Sequence, residues 1–283
     1  CLDAGRGIAG AAPARPDRPR SRRAARAGQR GNAARRDSVV SRIIRARSCR
    51  LRGGTRHKPR TTGRRPGDAG KIMKPLLITD CDEVLLHMVR HFGVWLGETH
   101  DIEFKPDGGD FANSMRRRAD ATVIEREEMW GLLDGFFPGE MERQTLVPHA
   151  REALAALAER ADIVVLTNLQ DHCRSHRIAQ LANHGIAHRV ECNQGGKGSP
   201  VLRLIEEYRP SVTVFVDDLA VHHESVAKHA PQVFRLHMVA EPSLAPSVAR
   251  APHAHARIDD WREALGWIEA RFDAGLTADA ASG

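Results

Sequence analysis

Asp80 and Asp82 stand one residue apart at the end of the apolar run 75–79 (Pro-Leu-Leu-Ile-Thr) and open into Cys81, Glu83, Val84 and Leu85. Two carboxylates at close range repel each other, so a strand gains no stability from carrying the pair. Alternate residues of a strand share a face, and at its C-terminal end two such carboxylates set a nucleophile beside an acid/base group. Asp-x-Asp is also common in solvated turns, and the rest of the chain must decide between the two.

Three further strand-like runs end in groups of matching chemistry. Residues 161–168 finish on Thr167 and Asn168, residues 187–192 lead into Gly-Gly-Lys-Gly-Ser-Pro at 195–200, and residues 212–218 finish on Asp217 and Asp218. Taken singly, each has a plain structural reading: a strand end, a loop lysine, an N-cap pair. Helical patterns at 147–160, 171–183, 199–208 and 219–229 separate the runs, Gly185 closing the second. Strand and helix in alternation predict an α/β chain with a parallel sheet, whose ligand site lies beyond the carboxyl ends of the strands. A nucleotide-binding P-loop is excluded, because Gly198 follows the lysine and Glu191 stands five residues before Gly196.

In order and strand context, these segments resemble the haloacid dehalogenase superfamily of aspartate-nucleophile phosphohydrolases over residues 76–272. Asp80-Cys81-Asp82-Glu83-Val84 matches its first motif, Thr167 its second, Lys197 its third and Asp217-Asp218 its fourth. Glu83 stands where the family often has glycine, and Val84 where it often has threonine. The resemblance implies a Rossmann-like core from 73–86 and 146–272, with a helical cap inserted at 87–145. It also implies a Mg²⁺-dependent phosphatase acting on a small phosphomonoester through an aspartyl-phosphate intermediate. A phosphomutase or a dehalogenase would use the same fold, though dehalogenation has no use for Asp82. A catalytically idle binding module is the reading from another class, and the intact Asp80, Asp82, Lys197 and Asp217 argue against it.

Physical chemistry assigns roles to the same residues. Asp80 would attack phosphorus as a carboxylate nucleophile. Asp82 would protonate the leaving oxygen and later deprotonate water, which requires its pKa to be raised in the site. Phosphoryl transfer depends chiefly on neutralising charge. Lys197 supplies one cation, and Ser199-Pro200 reads as an N-cap followed by proline at the first helical position, aiming a positive helix end at the same place. Thr167 offers its hydroxyl and Asn168 its amide to phosphate oxygens. Asp217 and Asp218, with Asp80 and Asp82, make an oxygen-rich set suited to Mg²⁺.

The charge of the 283-residue chain, +7 overall, misleads as an average. Residues 1–70 hold nineteen arginines and one lysine against four aspartates, a net +16 that leaves −9 for the remainder. The leader 1–72 lacks a core-forming pattern and is expected to be disordered. Its Arg, Ala, Gly and Pro have GC-rich codons, Cys1 opens the chain and Met73 precedes the first strand, which favours upstream sequence translated in frame, or a non-functional tail, over a transit segment or a nucleic-acid role. It carries no aromatic residue for base stacking, which argues against nucleic acid as a partner. Apolar runs fall far short of the roughly 20 residues a bilayer span needs, so no membrane partner is expected. Cys1, Cys49, Cys81, Cys173 and Cys192 lack C-x-x-C spacing, which points to a reducing cytoplasm, with Cys81 a small core residue.

The insert 87–145 interrupts the alternation. Val94, Trp95 and Leu96 continue a helix, 105–110 is a turn, 121–133 is a second helix, and Phe136-Phe137-Pro138 ends it. By the family resemblance this is a mobile cap that closes over substrate and excludes water. Arg116-Arg117-Arg118 reads as a solvated face and the aromatic residues as cap core. His222 follows the acidic pair by one helical turn, at the edge of the site. His222-His223 and His253-x-His255 lack metal-binding spacing. Residues 257–271 read as a terminal amphipathic helix, and 273–283 as a frayed tail.

Overall fold

The computed structural model describes residues 73–106, 111 and 113–275. The leader 1–72, most of the predicted turn at 105–110 and the tail beyond 275 lie outside the described residues. Six strands build one parallel sheet: β1 (Leu76–Thr79), β4 (Asp162–Thr167), β5 (Arg189–Cys192), β6 (Thr213–Asp217), β7 (Phe234–His237) and β8 (Ala256–Arg257). Their spatial order is β5-β4-β1-β6-β7-β8. From β1 the chain first builds toward β5 and then returns to build outward from β6, so the topological switch point lies between β1 and β6.

The central strands read as unbroken apolar runs because both of their faces are covered. Leu76 and Ile78 of β1 pack with Phe215 of β6 on one face, under α5 (Gly198–Tyr208) and α6 (Ala220–His229). Leu77, Val214 and Val216 pack on the other, against α3 (Ala150–Ala158), α4 (Arg174–Asn183) and α7 (Trp261–Ala274). Trp261 is fully buried there, and its indole N–H donates to the Val84 carbonyl at 2.8 Å, tying α7 to the loop after β1. Asp260 caps α7 by accepting from the Arg262 N–H. Cys81 lies wholly inside this core as expected, and burial pushes its thiol up.

The insert is a small α/β unit with its own core. It comprises α1 (Met88–His100), a hairpin of β2 (Ile102–Phe104) and β3 (Met115–Arg117), and α2 (Arg126–Glu140), followed by a short 3-10 turn, Met141–Arg143. Phe92, Leu96, Ile102, Met115, Met129, Leu132 and Phe136 form that core, with Phe92 and Phe136 edge-to-face at 5.2 Å. Two expectations change here. The cap contains a hairpin as well as helices, and α2 starts later than 121 and runs through Pro138 to Glu140. A proline in the last turn removes only one donor, and Phe136 anchors that turn in the cap core. Arg116 and Arg117 lie exposed on β3, Arg117 pairing with Glu128 at 2.7 Å, as a solvated face should. No helix among the described residues is long and apolar enough to cross a membrane.

Candidate active site

Sheet register brings the site together. Thr79 pairs with Val216 and with Val165, and the Asp80 N–H donates to the Val216 carbonyl at 2.8 Å. Asp80 is therefore set beside Asp217 at the ends of adjacent parallel strands, with Thr167 at the end of β4 on its other flank. The Lys197 ammonium stands between the two acids, 2.7 Å from Asp80 Oδ1 and 2.7 Å from Asp217 Oδ2, with no solvent exposure. Asp217 Oδ1 accepts from the Leu219 N–H at 2.9 Å in the turn ahead of α6, but Leu219 itself holds the N-cap position, so the acid pair does not cap that helix.

Glycines make this approach possible. A Cβ on Gly198 would stand 2.2 Å from the Ser225 carbonyl oxygen, and one on Gly196 would stand 2.6 Å from Ser225 Oγ. Only bare backbone lets the start of α5 press against α6 and deliver Lys197 between the carboxylates. The helix begins at Gly198 with Lys197 itself at the N-cap position, so Ser199 is not the cap and Pro200 is not the first helical residue. The cause is tertiary: Ser225 Oγ of α6 accepts from the Gly198 N–H at 3.0 Å.

Electrostatics follow from burial. Asp80 is pushed up to about 7, first by desolvation and also by Asp217, with Lys197 pulling against both. The partly buried Asp218 is raised well above the usual carboxylate range by desolvation, Asp217 and Asp80. Desolvation acts the same way on Asp217, but Lys197 and the nearby histidines outweigh it and hold that carboxyl low. Three carboxylates thus face one internal ammonium. One oxygen from each of Asp80, Asp217 and Asp218 lies within 4.8 Å of the others, an all-oxygen set that fits a hard divalent cation such as Mg²⁺.

Thr167 is fully buried and its hydroxyl has no hydrogen-bond partner, a state that needs a cause in a folded protein. The Asn168 side chain is committed to the protein: its amide donates to Gly195 O at 3.0 Å and lies 3.2 Å from His222 Nε2, and its oxygen accepts from Asn193 Nδ2. His222 is 1% exposed and burial lowers its pKa to about 4, so the ring is neutral. His223 Nε2 contacts the Asp217 carbonyl at 3.0 Å and His237 Nε2 the Asp218 carbonyl at 2.8 Å. These two rings brace the backbone of the acid pair, a role the sequence reading missed.

Asp82 goes elsewhere. β1 ends at Thr79, and the N–H groups of Val84, Leu85 and Leu86 all turn back to the Cys81 carbonyl while Glu83 takes a φ of +60°. The alternation that would set Asp82 on the face of Asp80 stops before it reaches that residue. Both Asp82 oxygens accept from Arg177 Nη2, at 2.7 and 3.0 Å. Arg177 is completely buried on α4, and its other arm donates to Gln144 and Gln180. Gln180 in turn donates to Gln144 and to the Met141 carbonyl at the end of the cap. The geometric cluster of possible metal ligands therefore holds Asp80, Asp217 and Asp218, without Asp82. Arg177, Gln144 and Gln180 carried no signal in the sequence, since one buried arginine looks like any other on an amphipathic helix.

No protein-family model matches this chain, and no curated protein matches it. Solved structures do. A haloacid dehalogenase-like family hydrolase from Streptococcus pneumoniae is 11% identical, with 70% of this chain and 98% of that one covered and a TM-score of 0.49. A haloacid dehalogenase-like protein of unknown function from Agrobacterium tumefaciens is 16% identical over 69% of this chain and 97% of that one, with a TM-score of 0.49. A haloacid dehalogenase-like family hydrolase from Xanthomonas campestris is 15% identical over 75% and 96%, with a TM-score of 0.44.

Proposed function

We propose that the protein is a Mg²⁺-dependent phosphatase that hydrolyses a small phosphomonoester through an aspartyl phosphate on Asp80. One observation carries the reading: at the switch point of a parallel sheet, a buried lysine bridges two acids at 2.7 Å beside a buried threonine hydroxyl with no partner. A phosphate group would give that hydroxyl its acceptor, and Lys197, already paired with Asp80 and Asp217, would offset part of the phosphate charge. The order of motifs from Asp80 to Asp218, and their family resemblance, support the same chemistry.

Asp80 attacks phosphorus through the carboxylate that Lys197 holds in place, and Lys197 offsets charge on the transferring oxygens. Thr167 donates its hydroxyl to one of them. Asp80, Asp217 and Asp218 would hold Mg²⁺, which when bound supplies the positive charge that a single lysine cannot. His223 and His237 keep the acid pair from shifting as charge develops. Asp82 acts as the proton carrier, oriented by Arg177; to protonate a leaving oxygen it must turn part of its carboxylate away from that guanidinium. The Arg177–Gln180–Met141 chain ties this movement to the base of the cap, whose closure would exclude water.

The test is turnover of p-nitrophenyl phosphate with and without Mg²⁺, coupled to rapid-quench detection of hydroxylamine-labile phosphate on the protein. Wild type should show both. Asp80→Asn should lose turnover and phosphoenzyme together, and a phosphoenzyme in that variant would sink the assignment.

A further inference from the structure

Glu83, His87 and Glu241 form a second buried cluster that the proposed reaction does not use. One donor atom from each, two carboxylate oxygens and one imidazole nitrogen, lies within 4.8 Å of the others. None of the three residues is more than 4% exposed. Glu83 comes from the turn after β1, His87 sits at the N-cap of α1, and Glu241 follows β7. The segments are held in register by the Ala240 N–H, which donates to the Glu83 carbonyl at 2.9 Å.

Protein contacts satisfy this cluster only in part. Glu83 Oε1 accepts from the Val89 N–H at 2.6 Å, while its Oε2 is buried without a hydrogen-bond partner. Glu241 Oε1 accepts from the Ser243 N–H and hydroxyl and from Arg90 Nη2 at 3.3 Å, and its Oε2 lies 3.1 Å from both His87 Nδ1 and Arg90 Nη2. His87 Nδ1 and Glu241 Oε2 also lack a bond of hydrogen-bonding geometry. Glu83 Oε2 buried without any partner, beside a His87–Glu241 contact of poor hydrogen-bonding geometry, is a costly arrangement for a protein to keep for packing alone.

We propose that Glu83, His87 and Glu241 bind one divalent transition-metal ion of the zinc class, at a site separate from the Asp80–Asp217–Asp218 cluster. The donor set decides the class. An imidazole nitrogen with two carboxylates suits Zn²⁺ and its neighbours, whereas Mg²⁺ favours oxygen alone. Two carboxylates match the charge of the ion, and three protein ligands leave a coordination position open to water or a ligand. An ion here joins the first turn of the cap to the core segment after β7, so it fixes the cap hinge. This inference stands independently of the phosphatase reading.

The experiment uses the full chain, stripped with a chelator and dialysed into excess Mg²⁺ so that the all-oxygen cluster is filled. Titration with Zn²⁺ should then show one further equivalent. Glu83→Gln, which keeps the acceptor for Val89, His87→Gln and Glu241→Gln should each weaken it by at least the roughly tenfold that even an outer-sphere partner is worth. Asp218→Asn should leave it in place. Arg90→Gln should tighten it, because the Arg90 guanidinium lies 3.1 Å from Glu241 Oε2 and opposes a cation there. Co²⁺ substitution in the wild type gives a second readout that needs no variant to fold: a visible ligand-field band that Mg²⁺ does not displace and Zn²⁺ does. No Zn²⁺ uptake in excess Mg²⁺, absence of that band, or unchanged binding in Glu83→Gln would overturn the proposal.

Discussion

Two acid clusters flank the same turn in sequence, one begun by Asp80 and the other by Glu83, and they differ in where their positive charge comes from. In the first, Lys197 is buried completely and fixed between Asp80 and Asp217. In the second, the cation is Arg90, which reaches Glu241 from a side chain 49% exposed, and the interior contributes only the His87 ring, whose pKa is lowered first by burial. Burial pushes Asp80 to about 7 and Glu83 to about 8, so each cluster keeps at least one carboxyl poised to ionise when a cation arrives. The difference shows which charge the fold cannot give up. Lys197 is built into the sheet and helix contacts, whereas Arg90 can swing into solvent and leave its place to an ion.

Lys197→Met should have the largest effect on stability. It strands two carboxylates in the interior, and breaking a buried pair from one side costs about 3–5 kcal/mol. For a chain of this size that lowers Tm by roughly 6–20 °C. Denaturant unfolding of the metal-free protein measures it. A loss below about 1 kcal/mol would place Lys197 on the same footing as a surface cation and erase the contrast between the clusters.

Arg177→Met ranks next, at about 2–3 kcal/mol, the range for charge-assisted hydrogen bonds left unmade. Its kinetic signature separates orientation from simple support. If Arg177 aims Asp82 at the water that opens the aspartyl phosphate, the variant should accumulate phosphoenzyme, and Arg177→Lys should restore turnover only in part because a lysine cannot hold both oxygens. Equal loss of phosphoenzyme formation and hydrolysis would reduce Arg177 to a structural pair.

The first cluster was largely legible in the sequence and the second was not. Asp80, Thr167, Asp217 and Asp218 each follow a β-branched or apolar run, Lys197 follows the glycines after the mixed strand 189–192, and parallel strands must gather such ends at one edge of the sheet. Asp82 broke the pattern because alternation holds only while the strand lasts, and β1 ends at Thr79, ahead of a turn in which Glu83 takes a φ of +60°. A glutamate in that backbone conformation is itself a signal, standing where the resembled family often carries glycine. Glu241 lies far along the chain from Glu83 and His87, so only the fold brings them together. β7 went unread because Arg235 and His237 alternate with its apolar residues, while β8 and the three-residue strands of the cap hairpin are too short for periodicity to register. Ser199 misled for a different reason: a capping residue from α6 took the place of a local one.

The two raised carboxyls of the first cluster predict how pH acts on it. Asp80, near 7, and Asp218, also raised, bind protons more tightly folded than unfolded, where aspartate titrates near 4. The metal-free protein should therefore lose stability as pH rises from about 4 through 7, since ionising these groups is harder in the folded state. A bound cation displaces the same protons, so Mg²⁺ should raise Tm more at pH 8 than at pH 6. Asp218→Asn should flatten that difference. Equal Mg²⁺ shifts at both pH values would show that the cluster does not hold the ion.

Arg90→Met should have the smallest effect. The pair it forms with Glu241 spans 3.1 Å, but the arginine is half in solvent, and exposed pairs are worth about 1 kcal/mol or less. Ser243 continues to donate to Glu241 through its N–H and hydroxyl, so the carboxylate does not become an isolated charge. A Tm shift within about 2–4 °C of the parent is therefore expected, the amount that 1 kcal/mol yields in a chain of this size. The comparison is sharpest in excess Zn²⁺, where Arg90→Met should be more stable than the parent because it no longer opposes the ion. A loss as large as that of Lys197→Met would mean that Arg90 is as fixed as Lys197, and the second cluster would then be closed by its own cation.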